Sequence, residues 1–234
     1  MENLSNETKS KIIENNYNIG KLLERNEELY LSELGDYDRR IYTVDQDDKI
    51  KFPQGYVRRK NDFVKLYNLT EITHYKNFTN IAYLMQYADL TQYFFSRFKI
   101  HNQLESVHFY YDVINMVSIL EIVSKELADK YRDSCNKCKI KKCKCNYIIN
   151  GKCMDNLKEL ISKLRDFQII NISEDDLKIL QDMIDLRHNV HLTKMDETFY
   201  NNKKFSAKQH NIYMKSLKNY FQSINYNMIV CKNK

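Results

Sequence analysis

The chain has 234 residues with a single proline and four glycines. Sheet-rich folds turn often, and tight turns draw on Gly and Pro, so this scarcity argues against a turn-dense β fold and predicts an all-α architecture of long helices. Lys and Arg outnumber Asp and Glu by 37 to 31, for a net charge of +6, a mild bias that permits contact with nucleic acid without requiring it.

The N-terminal residues, from Met1 to Thr8, are polar. They have no basic stretch followed by an apolar one, so no secretory signal is expected. No run approaches the roughly 18 apolar residues that a membrane span needs. A cytoplasmic location with no membrane partner is therefore expected. Residues 7–34 read as a charged helix in which Ile12, Ile13, Ile19, Leu22, Leu23, Leu31 and Leu34 make no clean stripe, which suits a helical arm or a partner-binding segment. Residues 36–56 break the helical pattern. Ile41, Thr43, Ile50 and Phe52 suit extended backbone, and a short hairpin turning at Asp45 to Asp48 is expected. Residues 1–56 thus form an N-terminal extension, and residues 57–234 form the main helical domain.

Two or three helices are expected over residues 57–99, with the apolar, aromatic run 81–98 as core. Residues 102–131 make the best long helix: Tyr110, Val113, Ile114, Val117, Leu120 and Leu127 fall near i, i+3, i+4, i+7 spacing. A Cys- and Lys-rich insert follows at 132–153, and another helix at 154–168. Ser173 is a good N-cap with Asp176 three residues on. Leu177, Leu180 and Ile184 then give the buried stripe of the next helix, and the last helix is expected over 206–229 with Leu217, Phe221, Ile224 and Met228 on one face. His74, His101, His108 and His210 are scattered and read as structural or solvent-exposed.

The segment Asp185-Leu186-Arg187-His188-Asn189-Val190-His191-Leu192 carries the chemistry. Arg187 and His191 are four apart, which stacks them on one helix face. With Leu180 and Ile184 they fall at i, i+4, i+7 and i+11, so the stripe begins as core and ends as a cation and an imidazole. A buried cation without a partner is costly. The helix must therefore emerge into a cleft there or meet a carboxylate or phosphate. A guanidinium donates bidentately to phosphate and stays charged, and an imidazole gives or takes a proton near neutral pH. Such a pair can also do no more than cap a helix or meet an acid.

The run Leu186 to Leu192, late in an all-α chain, resembles the HEPN superfamily. That family is a helical bundle whose signature is an Arg, roughly four to six residues, then a His, often with Asn close after the Arg. Here only His188, Asn189 and Val190 intervene, one residue fewer than usual. The resemblance implies a metal-independent endoribonuclease, of the kind found among toxins and phage-defence effectors. It would act as a homodimer, with Arg187 and His191 in the catalytic roles and Asn189 as a polar helper. The stretch Ser118 to Leu127 is similar to the family's long helix with a glutamate inside it, which makes Glu121 the partner of Arg187. A cognate antitoxin or other protein partner fits the same picture.

Five of the six cysteines lie between 135 and 153, as Cys135-x2-Cys138-x4-Cys143-x-Cys145-x7-Cys153. Thiolates at this spacing can share one tetrahedral ion. A structural zinc is expected, held by Cys135 and Cys138 with Cys153 and either Cys143 or Cys145. A solvated loop of reduced thiols is the simpler alternative. Lys139, Lys141, Lys142 and Lys144 sit in the same loop with no acid between Cys135 and Cys153, and could track an RNA backbone or only offset thiolate charge. There is no Gly-rich phosphate loop, GxSxG or HExxH, so no nucleotide cofactor is expected. Two functions remain. One is the HEPN-like endoribonuclease. The other is a non-catalytic, zinc-stapled helical module that binds RNA or a protein.

Overall fold

The first helix starts where the sequence supplies a cap: the Ser5 side chain accepts a hydrogen bond from the Thr8 backbone N–H at 3.2 Å. In this computed structural model, which describes residues 4–42, 45–69, 75–136, 155–188 and 205–229, helix α1 spans Asn6–Ile41 and bends at Gly35, whose φ of 77° is one that L side chains rarely adopt. Most of its apolar side chains, Ile13 and Leu22 among them, are exposed, as the missing stripe implies. Residues Met1–Pro53 form one unit and Gln54–Lys234 a second. The hairpin expected over 36–56 is not formed. Residues 36–41 continue α1 beyond the glycine bend, and Gln46–Asp48 close a single 3-10 turn with Asp48 N–H donating to the Asp45 carbonyl. A lone two-stranded hairpin has no sheet on which to bury a face, so nothing opposes the local turn.

The second unit is built from six α-helices among the described residues: α2 (Lys60–Leu66), α3 (Tyr75–Arg97), α4 (Asn102–Asn136), α5 (Leu157–Asp166), α6 (Glu174–His188) and α7 (Ala207–Gln222). The strongly apolar windows of the sequence lie on α3 and α4, and α4 packs against α3, α5, α6 and α7. The all-α expectation therefore holds for the described residues. The expected long helix extends to Asn136, so residues 132–136, read as the start of the insert, are still α4.

Helix α4 buries two arcs rather than one stripe. Tyr110, Val113, Val117, Leu120 and Leu127 are inside, as the spacing predicts, and so are Phe109, Met116, Ile119 and Val123. Ile114 is only partly buried. Helix α5 caps on Asn156, whose side chain accepts from Glu159 N–H at 3.3 Å, and buries Leu157, Leu160, Ile161 and Leu164. Ser173 caps α6 as expected, accepting from Asp176 N–H at 3.0 Å while its hydroxyl donates to the Asp176 carboxylate at 2.8 Å. The last helix stops at Gln222, short of the expected 229. Ile224 instead forms an antiparallel bridge with Ile170, with Asn225 N–H donating to the Ile169 carbonyl and Asn171 N–H to that of Ser223. Those long-range bonds satisfy backbone groups that a continued helix would have satisfied internally.

One buried hydrogen-bond chain joins α4 to α7. Ser124 donates its hydroxyl proton to the Leu120 carbonyl at 2.7 Å, so the Tyr220 hydroxyl, 2.7 Å from Ser124 Oγ, is the donor of the second bond. Burial holds the Tyr220 hydroxyl well above the usual tyrosine range. Tyr220→Phe removes one bond but leaves Ser124 paired, and should cost about 1 kcal/mol. Leu120→Ala opens a cavity at a fully buried position and should cost about 3 kcal/mol. Urea denaturation of both variants checks the order, and equal losses would contradict it.

Candidate functional site

Arg187 sits in the last turn of α6, one turn beyond the buried Ile184. Its stripe leaves the core there and meets α4. Arg187 Nη1 donates to Glu121 Oε2 at 2.5 Å across 66 residues of sequence, the contact anticipated between these two positions. Lys125, one turn further along α4, donates to Glu121 Oε1 at 2.6 Å. Both oxygens of the carboxylate are thus engaged by cations. The side chains of Glu121 and Arg187 keep 27% and 32% of their surface exposed, so the group lies at the rim of the core and not within it. His188 follows and is exposed.

The charge balance is simple. One carboxylate faces two cations, which leaves a local excess of +1 from these three side chains. Burial pushes the Glu121 carboxyl up, but the hydrogen bonds from Lys125 and Arg187 outweigh it and hold the group below the usual glutamate range. Arg187 is fixed in place, and its fork of five N–H donors exceeds what Glu121 can accept. Such a guanidinium can bind an anion from the solvent side without moving.

His191 and Asn189 lie outside the described residues, as do Cys138, Cys143, Cys145 and Cys153 with Lys139, Lys141, Lys142 and Lys144. Cys135 belongs by its backbone to the last turn of α4. Among the described residues, no group of three or more His, Cys, Asp or Glu is placed to hold a metal ion.

The structure also assembles a polar layer that the sequence reading passed over. His108 and His210, read as structural or solvent-exposed, are both buried. His210 Nε2 lies 2.6 Å from Asp112 Oδ2, joining α7 to α4. His108 stacks on Phe95, ring centroids 4.0 Å apart, and its Nε2 has no hydrogen-bond partner among the described residues. Burial pushes the His108 imidazole below the ordinary histidine range; Asp112 opposes this and His210 adds to it. Asn115 completes the layer by donating from Nδ2 to the Leu84 carbonyl at 3.0 Å. Nearby, Arg58 clamps Asp89 through Nε, Nη2 and its own backbone N–H, at 2.6 to 3.2 Å. The available signal was polar residues 108, 112 and 115, at i, i+4 and i+7, on a stripe that is otherwise core.

No family model matches the chain, and no curated protein or solved structure matches it.

Because the Glu121 carboxyl titrates lower folded than unfolded, its ion pairs stabilise the protein above the ordinary glutamate range. That stabilisation is lost as pH falls through the lowered folded-state value. Glu121→Gln should therefore be less stable than the parent at pH 7 by roughly 1–2 kcal/mol, with the gap closing below about pH 4. Denaturant titrations across that range test this. A gap that stays constant with pH would contradict the assignment.

Proposed function

We propose that the chain is a HEPN-like, metal-independent endoribonuclease in which Arg187 and His191 act on the RNA phosphodiester. The observation that carries this is the Glu121–Arg187 pair at 2.5 Å between α4 and α6. It fixes a partly exposed guanidinium, in a patch with excess positive charge, immediately before the Asn189 and His191 of the motif. The all-helical body is the setting that the resemblance implies.

In the proposed reaction, His191 takes the proton of the ribose 2′-hydroxyl or gives one to the departing 5′-oxygen. The 2′-oxygen attacks phosphorus and the P–O5′ bond breaks. The products are a 2′,3′-cyclic phosphate and a 5′-hydroxyl end. Arg187 stabilises the charge that builds on the phosphorane-like transition state. Glu121 is a positioning residue: it touches Arg187 and not the RNA. The active form is a homodimer that brings two Arg-His pairs to one cleft, and a toxin or phage-defence role with a protein antagonist suits such an activity. The cysteine loop binds a structural zinc through four of Cys135, Cys138, Cys143, Cys145 and Cys153, and its lysines contact the RNA backbone.

Purified protein should cleave RNA in the presence of EDTA. Arg187→Ala and His191→Ala should each lower the rate by about 10²–10³-fold while the helical circular dichroism is retained. Intact RNA in every lane would leave the non-catalytic binding module as the better account. That module would still bind RNA or a protein, and would weaken when the loop lysines are neutralised. Elemental analysis should find one zinc per chain in the parent and none after Cys135→Ser/Cys138→Ser. Zinc-free parent protein, purified without chelator, would remove the metal from the proposal.

A further inference from the structure

Three polar side chains of the buried layer line a cleft that the cleavage chemistry leaves unused. The cleft measures about 300 Å³ and lies among the residues before α2 and helices α3, α4 and α7; Arg58, Asp89, Asp112, Asn115 and His210 contribute to its wall. Asn115 is more than nine-tenths buried, and its Oδ1 has no hydrogen-bond partner among the described residues. An acceptor left unsatisfied in the interior costs about 1–3 kcal/mol, so something that donates is expected beside it.

The charges of the cleft decide what that is. The Asp89 carboxylate is already neutralised by the guanidinium of Arg58, which meets both of its oxygens. Asp112 has no Lys or Arg partner among the described residues; its contact is the imidazole of His210. The polar wall therefore carries one carboxylate not matched by a fixed cation, with the unpartnered Asn115 oxygen in the same lining. Tyr67, Gln92 and Asn211 add further polar groups to the lining, and its apolar part includes Met85, Met116, Met214 and Phe221. About ten waters would fill this volume, and they would satisfy the polar wall while wetting the methionines and the phenyl ring. One ring-sized molecule with a cationic, donating head and an apolar body satisfies both walls at once, and methionines adapt to such a body.

We propose that this cleft is a binding site for a small aryl or alkyl cation of the amidine or primary-amine class, its head held by Asp112 and Asn115 and its body against Met116, Met214 and Phe221. The site is independent of Arg187 and of the cleavage proposal.

The test uses benzamidine and the matched anion benzoate as probes, with the full chain, in calorimetry and ligand-observed NMR. Benzamidine should bind with a Kd of about 1 mM, as its size allows, and benzoate should bind at least tenfold more weakly. Asp112→Asn and Asn115→Leu should each weaken benzamidine at least tenfold. Asn115→Leu serves if Asp112→Asn does not fold, since it removes the unpartnered acceptor and leaves the Asp112–His210 pair intact. Equal binding of the two probes would overturn the proposal. So would binding of neither, which identifies a water-filled polar layer, or unchanged benzamidine affinity in a folded variant. RNA cleavage by Arg187→Ala plays no part in any of these outcomes.

Discussion

Everything in the larger unit depends on α4 being buried along two arcs at once. A helix of 35 residues with core side chains on more than half its circumference cannot shield them with one neighbour. It must be enclosed, and α3, α5, α6 and α7 do so. The short helices have no independent reason to be stable in water. Their apolar faces find a surface because α4 supplies one, and the Ser124–Tyr220 contact fixes how α7 lies on it.

The polar contacts of α4 divide by depth. Near its middle, Glu121 sits on the least buried stripe and meets Arg187 and Lys125 where water still reaches the group. That position lets a guanidinium be held firmly without the desolvation penalty of a deep ion pair. Nearer its N-terminus, Asp112 and His210 are almost wholly enclosed. A contact that deep contributes less to net stability than to specifying which helix lies against which. The outer pair is therefore open to solvent, whereas the inner layer is reached only through a cleft.

Several features were legible because they are local. Scarcity of Gly and Pro, the 3.6-residue period of the long helix, the Ser173 cap and the apolar run of α3 are properties of short windows, and local windows set helix formation. The Glu121–Arg187 contact was expected from the resemblance, which singled out Glu121, and it fits the need of a cation at the end of a buried stripe for a cleft or a counter-charge. The hairpin was misjudged because β-branched residues at 41, 43 and 50 favour extended backbone only when a sheet receives them. The last helix was drawn too long because its period continues to Met228, whereas Ile224 is held by a bridge to Ile170, 54 residues away.

By itself, then, the sequence determined that the chain is helical, where α4 and α6 run, and that Arg187, at the end of a buried stripe, must emerge into a cleft or meet a carboxylate or phosphate. The tertiary structure brought Glu121 onto Arg187, and it gathered Asp112, Asn115, His210 and the Arg58–Asp89 clamp around one cleft. The reason is distance along the chain. Asp112 and His210 are 98 residues apart, and Arg58 and Asp89 are 31 apart, so no periodicity within a window links them. They become neighbours only when burial of the apolar arcs of α4 draws α3 and α7 against it.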